Sequence, residues 1–224
     1  GRSKDDLVGE QLDLEHGLNF LHPAKITSTD NYADLAGADV VIFTAGAAQQ
    51  PGQTRLDLAA ANIKIMSNII PEVLKYAPET IILMVTNPVD ILVNEAYKLT
   101  NARYGQIFGT GTTLDTARFR FHLSELLHVN SRSIHAYILG EHGDSSFPVL
   151  SSATVGGQPL LSFPGMTETK AREAYDKAKN AAYTIIQTKG ATFYAIGVVV
   201  SHIARTILSD AKSVLPVSVP LENY

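Results

Sequence analysis

The sequence contains no cysteine, which removes disulfide frameworks, thiolate zinc sites and cysteine nucleophiles at once and fits a reducing compartment. Long hydrophobic runs are missing as well: the longest, at 81–85 and 196–200, fall far short of the roughly 20 residues that cross a bilayer. The N-terminus, GRSKDD, is polar and charged, unlike a signal peptide. These absences predict a cytoplasmic location and no membrane partner. An excess of one charge is also absent, since 18 Lys plus Arg against 22 Asp plus Glu leave a net charge of −4. Nothing there draws the chain to nucleic acid or another polyanion. Charged residues make up 18% of the chain, below the ~25% usual for soluble domains, which points to surface meant for another subunit or segment. What is present is a chain of 224 residues, 45% apolar, enough to bury a true core in one or two domains.

Up to about Gly109 short apolar runs alternate with longer helical patterns, the signature of βαβ units and a parallel sheet. A helix capped at Ser3 is expected to end near Gly17, and a strand is expected at 25–28. A buried strand at 39–43 opens into the small residues 44–48, as at a ligand crevice. A helical pattern follows from Leu56 to about Tyr76, where Pro71 should bend or interrupt it. A strand at 80–85 stops at Thr86-Asn87-Pro88, and a helix runs from there to about Leu99. The rhythm then changes: a helix at 113–127, a strand at 133–139, a tight polar turn at 140–145, a strand at 149–155, helices at 167–188 and 192–208, and a last strand at 213–219. The expected architecture is α/β: an incomplete Rossmann-like doubly wound sheet over 1–109, then an α+β domain over 110–224, with a cleft between them.

Two features call for chemistry: Gly-Glu-His-Gly-Asp-Ser around His142, and Leu-Asp-Thr-Ala-Arg at 114–118. A histidine flanked by glycines in a polar turn is expected to have an unusual backbone angle and an imidazole free to enter a cavity. Asp115 and Arg118, three apart on a helix, share a face. Such an aspartate can fix a histidine's tautomer and raise its pKa, while the guanidinium forks onto a carboxylate. Taken alone, an Asp/Arg pair at this spacing is more often a solvated surface pair. Serine hydrolysis through Ser145 or Ser146 lacks a Gly-x-Ser-x-Gly elbow, and a zinc site lacks His-Glu-x-x-His.

The motifs TAGAAQQPGQTR (44–55), TNPVDIL (86–92), GTGTTLDTARFR (109–120), HAYILGEHGDSS (135–146) and KGAT (189–192) stand in the order and spacing of one family. The chain resembles the L-lactate and malate dehydrogenases, most closely the bacterial allosteric lactate type. The resemblance implies an NAD-dependent oxidoreductase that interconverts pyruvate and (S)-lactate in glycolysis and fermentation. It implies His142 as acid/base, Asp115 as its orienting partner, Arg118 as the carboxylate clamp and Arg55 as the group polarising the carbonyl. Asn87 and Thr192 complete the substrate pocket, and Tyr32, Gly46, Ala47, Val85, Thr86, Asn87 and Thr110 contact the cofactor. Gln49 stands where malate dehydrogenases carry arginine. A dicarboxylate in a dry pocket needs a second cation that pyruvate would leave unpaired, so Gln49 favours pyruvate. Arg120 and His135 match positions that bind fructose 1,6-bisphosphate across a subunit interface, which implies an allosteric homotetramer.

The Gly-x-Gly-x-x-Gly fingerprint that holds a pyrophosphate on a helix terminus is absent. The resemblance therefore implies an internal stretch of a longer enzyme, short at both ends, that folds poorly and binds NADH weakly when isolated. Two alternatives stay open. One is a malate or other L-2-hydroxy acid dehydrogenase. The other is a non-catalytic structural or binding protein built from dehydrogenase parts, against which stands the retention of His142, Asp115 and Arg118.

Overall fold

The computed structural model describes residues 4–47 and 55–221. The Ser3 cap and Gln49 lie outside the described residues. Helix α1 (Lys4–Gly17) precedes strand β1 (Val40–Phe43), helix α2 (Arg55–Tyr76), strand β2 (Ile81–Met84), helix α3 (Val89–Thr100) and strand β3 (Ile107–Gly109). The three strands form one parallel sheet in the order β1-β2-β3, with Val40 opposite Ile81 and Ile82 opposite Ile107. Helices pack on both faces of β2, whereas Ile42 of β1 is 42% exposed. Ile82 and Met84 meet Met66, Ile70 and Val73 of α2 and Val89, Leu92 and Val93 of α3 on one face. Leu83, pointing the opposite way, meets Leu114, Val199 and Ile203. The apolar residues of α2 recur at Ile63, Met66, Ile70 and Val73, a single helical stripe.

The second half is built on helix α4 (Thr113–Leu127), strands β4 (Ile134–Leu139), β5 (Phe147–Val155) and β6 (Gln158–Pro159), and helices α5 (Glu168–Lys189) and α6 (Tyr194–Leu208). Its sheet is antiparallel in the order β4-β5-β6. Strict alternation buries Ile134, Ala136 and Ile138 against Phe119 and Leu123 of α4. Ala171, Ala174 and Ala178 of α5 join the same core, and their small size lets α5 lie close. The first turn of α4 thus serves the first sheet through Leu114, and its middle serves the second through Phe119.

Several expectations need correction. Residues 25–28 form no strand; the Ser28 amide donates to Gln11 Oε1 at 2.9 Å and Gln11 Nε2 to the Ile26 carbonyl at 3.4 Å, so a side chain replaces a ladder. Residues 213–219 form no strand either, since Pro216 lacks an N–H and Val217 folds back onto Leu215 O at 3.0 Å. Only Ser218 pairs there, in a single antiparallel bridge with Gly109. Helix α2 continues through Pro71 without interruption, β5 begins two residues early at Phe147, and β3 was not anticipated. The positive φ of the polar turn falls on Gly140 (91°), not on His142, because glycine alone takes that conformation without cost.

Candidate active site

The end of β4 is fastened to the first turn of α4. Thr112 Oγ1 donates to the Ile138 carbonyl at 2.6 Å, and the Ile138 amide donates to Thr116 Oγ1 at 3.0 Å. Between these two threonines stands Asp115, buried, in the helix turn where the macrodipole favours a carboxylate. Gly140 turns the chain beyond β4 and brings His142 back onto that same helix turn. Its Nδ1 donates to Asp115 Oδ2 at 2.6 Å, while Arg118 donates to Asp115 Oδ1 at 3.4 Å. The three side chains named from sequence therefore form one cluster, with Asp115 and Arg118 each only 12% exposed and His142 27%.

Chemistry follows from that geometry. The hydrogen bond to Asp115 holds the imidazole above its ordinary pKa, outweighing burial, with the charges of Asp115 and Asp90 adding and that of Arg118 opposing. Because Nδ1 is committed to Asp115, Nε2 is the nitrogen left to exchange a proton, and it has no partner among the described residues. Burial lowers the Arg118 pKa while Asp115 opposes that shift. A guanidinium stays charged throughout the neutral range, so the cluster pairs a proton donor with a fixed cation. Among the described residues no group of three His, Asp or Glu could hold a metal, and no helix is long and apolar enough to cross a membrane.

The carboxyl ends of the parallel strands lie alongside. Asn62 of α2, 1% exposed, accepts from the Ala47 amide at 2.7 Å and donates to the Asn87 carbonyl at 2.8 Å. It joins the loops after β1 and β2, and sequence reasoning missed it because a polar residue inside a helix carries no visible partner. Thr86 Oγ1 donates to the Ala45 carbonyl at 2.9 Å. A Cβ on Gly46 would lie 2.4 Å from Thr86 Cγ2, so only glycine fits. Tyr32 and Gly46 line a cleft of about 590 Å³ with Phe43, Thr44 and Ala45. Val85 is half-buried beside it and the Asn87 side chain is exposed at the strand end. Small residues at the carboxyl ends of parallel strands, beside a cleft of this size, fit a nucleotide.

Other expected residues fall elsewhere. Thr110 is buried, its amide on the Met84 carbonyl at 3.0 Å. Thr192 is half-buried in the turn between α5 and α6, and no hydrogen bond among the described residues joins it to the His142 cluster. Arg55 opens α2, but its side chain lies outside what is described. Arg120 donates from Nε to the Ala136 carbonyl at 2.9 Å, and its guanidinium stacks 4.7 Å from the Tyr137 ring. His135 is exposed on the outward side of β4, as Tyr137 is partly, with a bulge between the two.

Residues 2–109 match the family model described as lactate/malate dehydrogenase, NAD binding domain, and residues 112–224 match that described as lactate/malate dehydrogenase, alpha/beta C-terminal domain. L-lactate dehydrogenase 1 of Clostridium acetobutylicum is 45% identical over 99% of this chain and 72% of its own length, and L-lactate dehydrogenase 1 of Listeria monocytogenes is 44% identical over 99% and 71%. Among solved structures, the minor L-lactate dehydrogenase of Enterococcus mundtii in a ligand-bound form superposes with a TM-score of 0.92 at 40% identity, covering 98% of this chain and 71% of that one. A lactate dehydrogenase from a Medee basin deep-sea metagenome library gives 0.90 at 38% identity, covering 96% and 70%.

Proposed function

The chain belongs to the lactate/malate dehydrogenase family, and from that premise we propose that it interconverts pyruvate and (S)-lactate with NAD as cofactor. The observation that carries the proposal is the Asp115–His142 hydrogen bond of 2.6 Å with Arg118 on the same carboxylate. The nicotinamide, when bound, supplies or removes a hydride at the substrate's second carbon. Every other requirement falls to the chain. Arg118 grips the substrate carboxylate with its fork and fixes which face of the carbonyl is presented. His142, whose protonated form the Asp115 hydrogen bond favours, delivers a proton from Nε2 to the developing alkoxide oxygen, and Asp115 stabilises the imidazolium until it does. In lactate oxidation the same nitrogen, neutral, takes the hydroxyl proton.

The residues that would hold the cofactor, at and beside the carboxyl ends of the parallel strands, are Tyr32, Gly46, Ala47, Val85, Thr86 and Asn87, with Thr110 buried behind them. Arg55 polarises the carbonyl, and Asn87 and Thr192 bound the pocket. Gln49, uncharged, matches a substrate with a single carboxylate. The low share of charged residues, 18%, supports assembly with other subunits, for which the family likeness implies a homotetramer, and Arg120 with His135 form the basic pair for a sugar bisphosphate activator. The division of the chain at 109/110 separates cofactor from substrate functions.

The test is the ratio of kcat/KM for pyruvate over oxaloacetate in the enzyme and in Gln49→Arg. Pyruvate is preferred by the first, and the preference moves toward oxaloacetate in the second. An unchanged ratio removes the assignment of Gln49, and equal use of both acids by the unaltered enzyme removes the choice of pyruvate.

A further inference from the structure

By its sequence context Asp90 is only one more residue of the helix after Pro88, yet its carboxylate joins three distant segments. It sits in the first turn of α3. One oxygen, Oδ2, accepts from the His142 main-chain amide at 2.8 Å, and the other, Oδ1, accepts from Ser218 Oγ at 2.5 Å. These partners are 52 and 128 residues away along the chain.

The frame behind Asp90 is tight. Ser218 is buried and exchanges two backbone hydrogen bonds with Gly109, at 2.9 and 3.0 Å. A Cβ on Gly109 would lie 2.5 Å from Val89 Cγ2, and one on Gly111 would lie 2.6 Å from the Ser218 nitrogen. Neither glycine can carry a side chain without displacing these segments. His142 is consequently held at two points. Asp115 fixes the ring nitrogen Nδ1 and Asp90 fixes the backbone from which the ring hangs. Two anchors set where Nε2 stands, whereas one would leave the ring free to swing about the Asp115 contact.

We propose that Asp90 is a positioning residue for the reaction, holding the His142 main chain against the Ser218 segment so that Nε2 stays in place for proton transfer. The inference rests on the proposed role of His142. Charge acts in the same sense as geometry. The groups that act on the imidazole are Asp115 and Arg118 from α4 and Asp90 from α3, and the Asp90 charge favours the imidazolium. Nearby, Glu141 of the turn is engaged by Ser145 Oγ at 2.6 Å, and Lys179 of α5 donates to the Asp144 carbonyl at 2.7 Å.

The experiment compares Asp90→Asn with Ser218→Ala in the enzyme. An asparagine has one acceptor oxygen for two donors and no charge. Its kcat for pyruvate reduction at neutral pH should fall on the order of tenfold, with KM for pyruvate changed less than threefold because Arg118 is untouched. The His142 imidazole, followed by NMR without cofactor or substrate, should titrate at lower pH than in the unaltered protein. Ser218→Ala removes only the rear anchor, so thermal stability should drop while the His142 titration stays in place. A titration that is the same in all three proteins overturns the inference, as does a kcat in Asp90→Asn equal to that of the unaltered enzyme. Should Asp90→Asn fail to fold, the His142 amide in the unaltered protein decides: protection from hydrogen exchange supports the anchor, and exchange at the rate of an open turn overturns it. The titration needs no substrate, so it stands or falls apart from the identity of the 2-oxo acid.

Discussion

The contact of Gly46 with Thr86 can be tested by a double-mutant cycle. A methyl group placed on Gly46 would meet Thr86 Cγ2 at 2.4 Å and Asn62 Oδ1 at 3.2 Å. Thr86 cannot turn aside cheaply, because a β-branched side chain is stiff at χ1 and its hydroxyl is bonded to the Ala45 carbonyl at 2.9 Å. Asn62 is equally committed to Ala47 and Asn87. Overpacking of this kind costs about 1–3 kcal/mol, and each kcal/mol lowers Tm by roughly 2–4 °C in a domain of this size. Gly46→Ala should therefore lower Tm by roughly 2–12 °C. Thr86→Ser deletes the clashing methyl and keeps the hydroxyl, at about 0.8 kcal/mol or less by itself. In the double variant the two losses should not add, and the coupling should lie at roughly 0.5–3 kcal/mol in favour of the pair. Thermal and urea unfolding of the four proteins measure it. Additivity within about 0.5 kcal/mol would mean that the loop after β1 relaxes away from Thr86, and the claim that only glycine fits would be lost.

Other predictions concern charge. Adding fructose 1,6-bisphosphate near neutral pH should lower KM for pyruvate in the unaltered enzyme and leave Arg120→Gln unaffected; no change in the unaltered enzyme removes the activator site. The raised pKa of His142 also predicts a pH-dependent stability. A group whose folded pKa lies above its unfolded value stabilises fully below the unfolded value, ordinarily 6.5 for histidine, and loses that contribution as pH rises through the folded value. The Tm advantage of the protein over His142→Gln should thus be largest in mildly acidic buffer and shrink as pH rises. An advantage that grows with pH would reverse the assigned sign.

Much of this architecture is legible in residue spacing. The stripe Ile63, Met66, Ile70, Val73 marks α2, and the alternation of Ile134, Ala136 and Ile138 marks β4, because burial of one face imposes the period. The Asp115–Arg118 spacing likewise places both groups on one helix face. Strand β3 is invisible because Ile-Phe-Gly is too short to show a period, and it exists through pairing with β2. The absence of strand at 25–28 and 213–219 has the same origin in reverse, since a favourable run needs a neighbour to pair with: Gln11 takes that place at 25–28, and Pro216 removes an N–H at 213–219. Asn62 and Asp90 carry no local signal at all. Each is an ordinary polar residue on a helix until folding brings partners from 15 to 128 positions away.

The account depends most on Asp115 favouring the protonated imidazole of His142, and the pH profile of kcat/KM for pyruvate in Asp115→Asn tests that most directly. A charge-assisted hydrogen bond is worth about 1.5–3 kcal/mol. The limb reporting the acid should move to lower pH, and reduction measured well above the limb of the unaltered enzyme should fall on the order of ten- to a hundredfold. NMR titration of the His142 ring should show the same displacement. A limb that stays in place while Asp115→Asn remains folded would contradict the account.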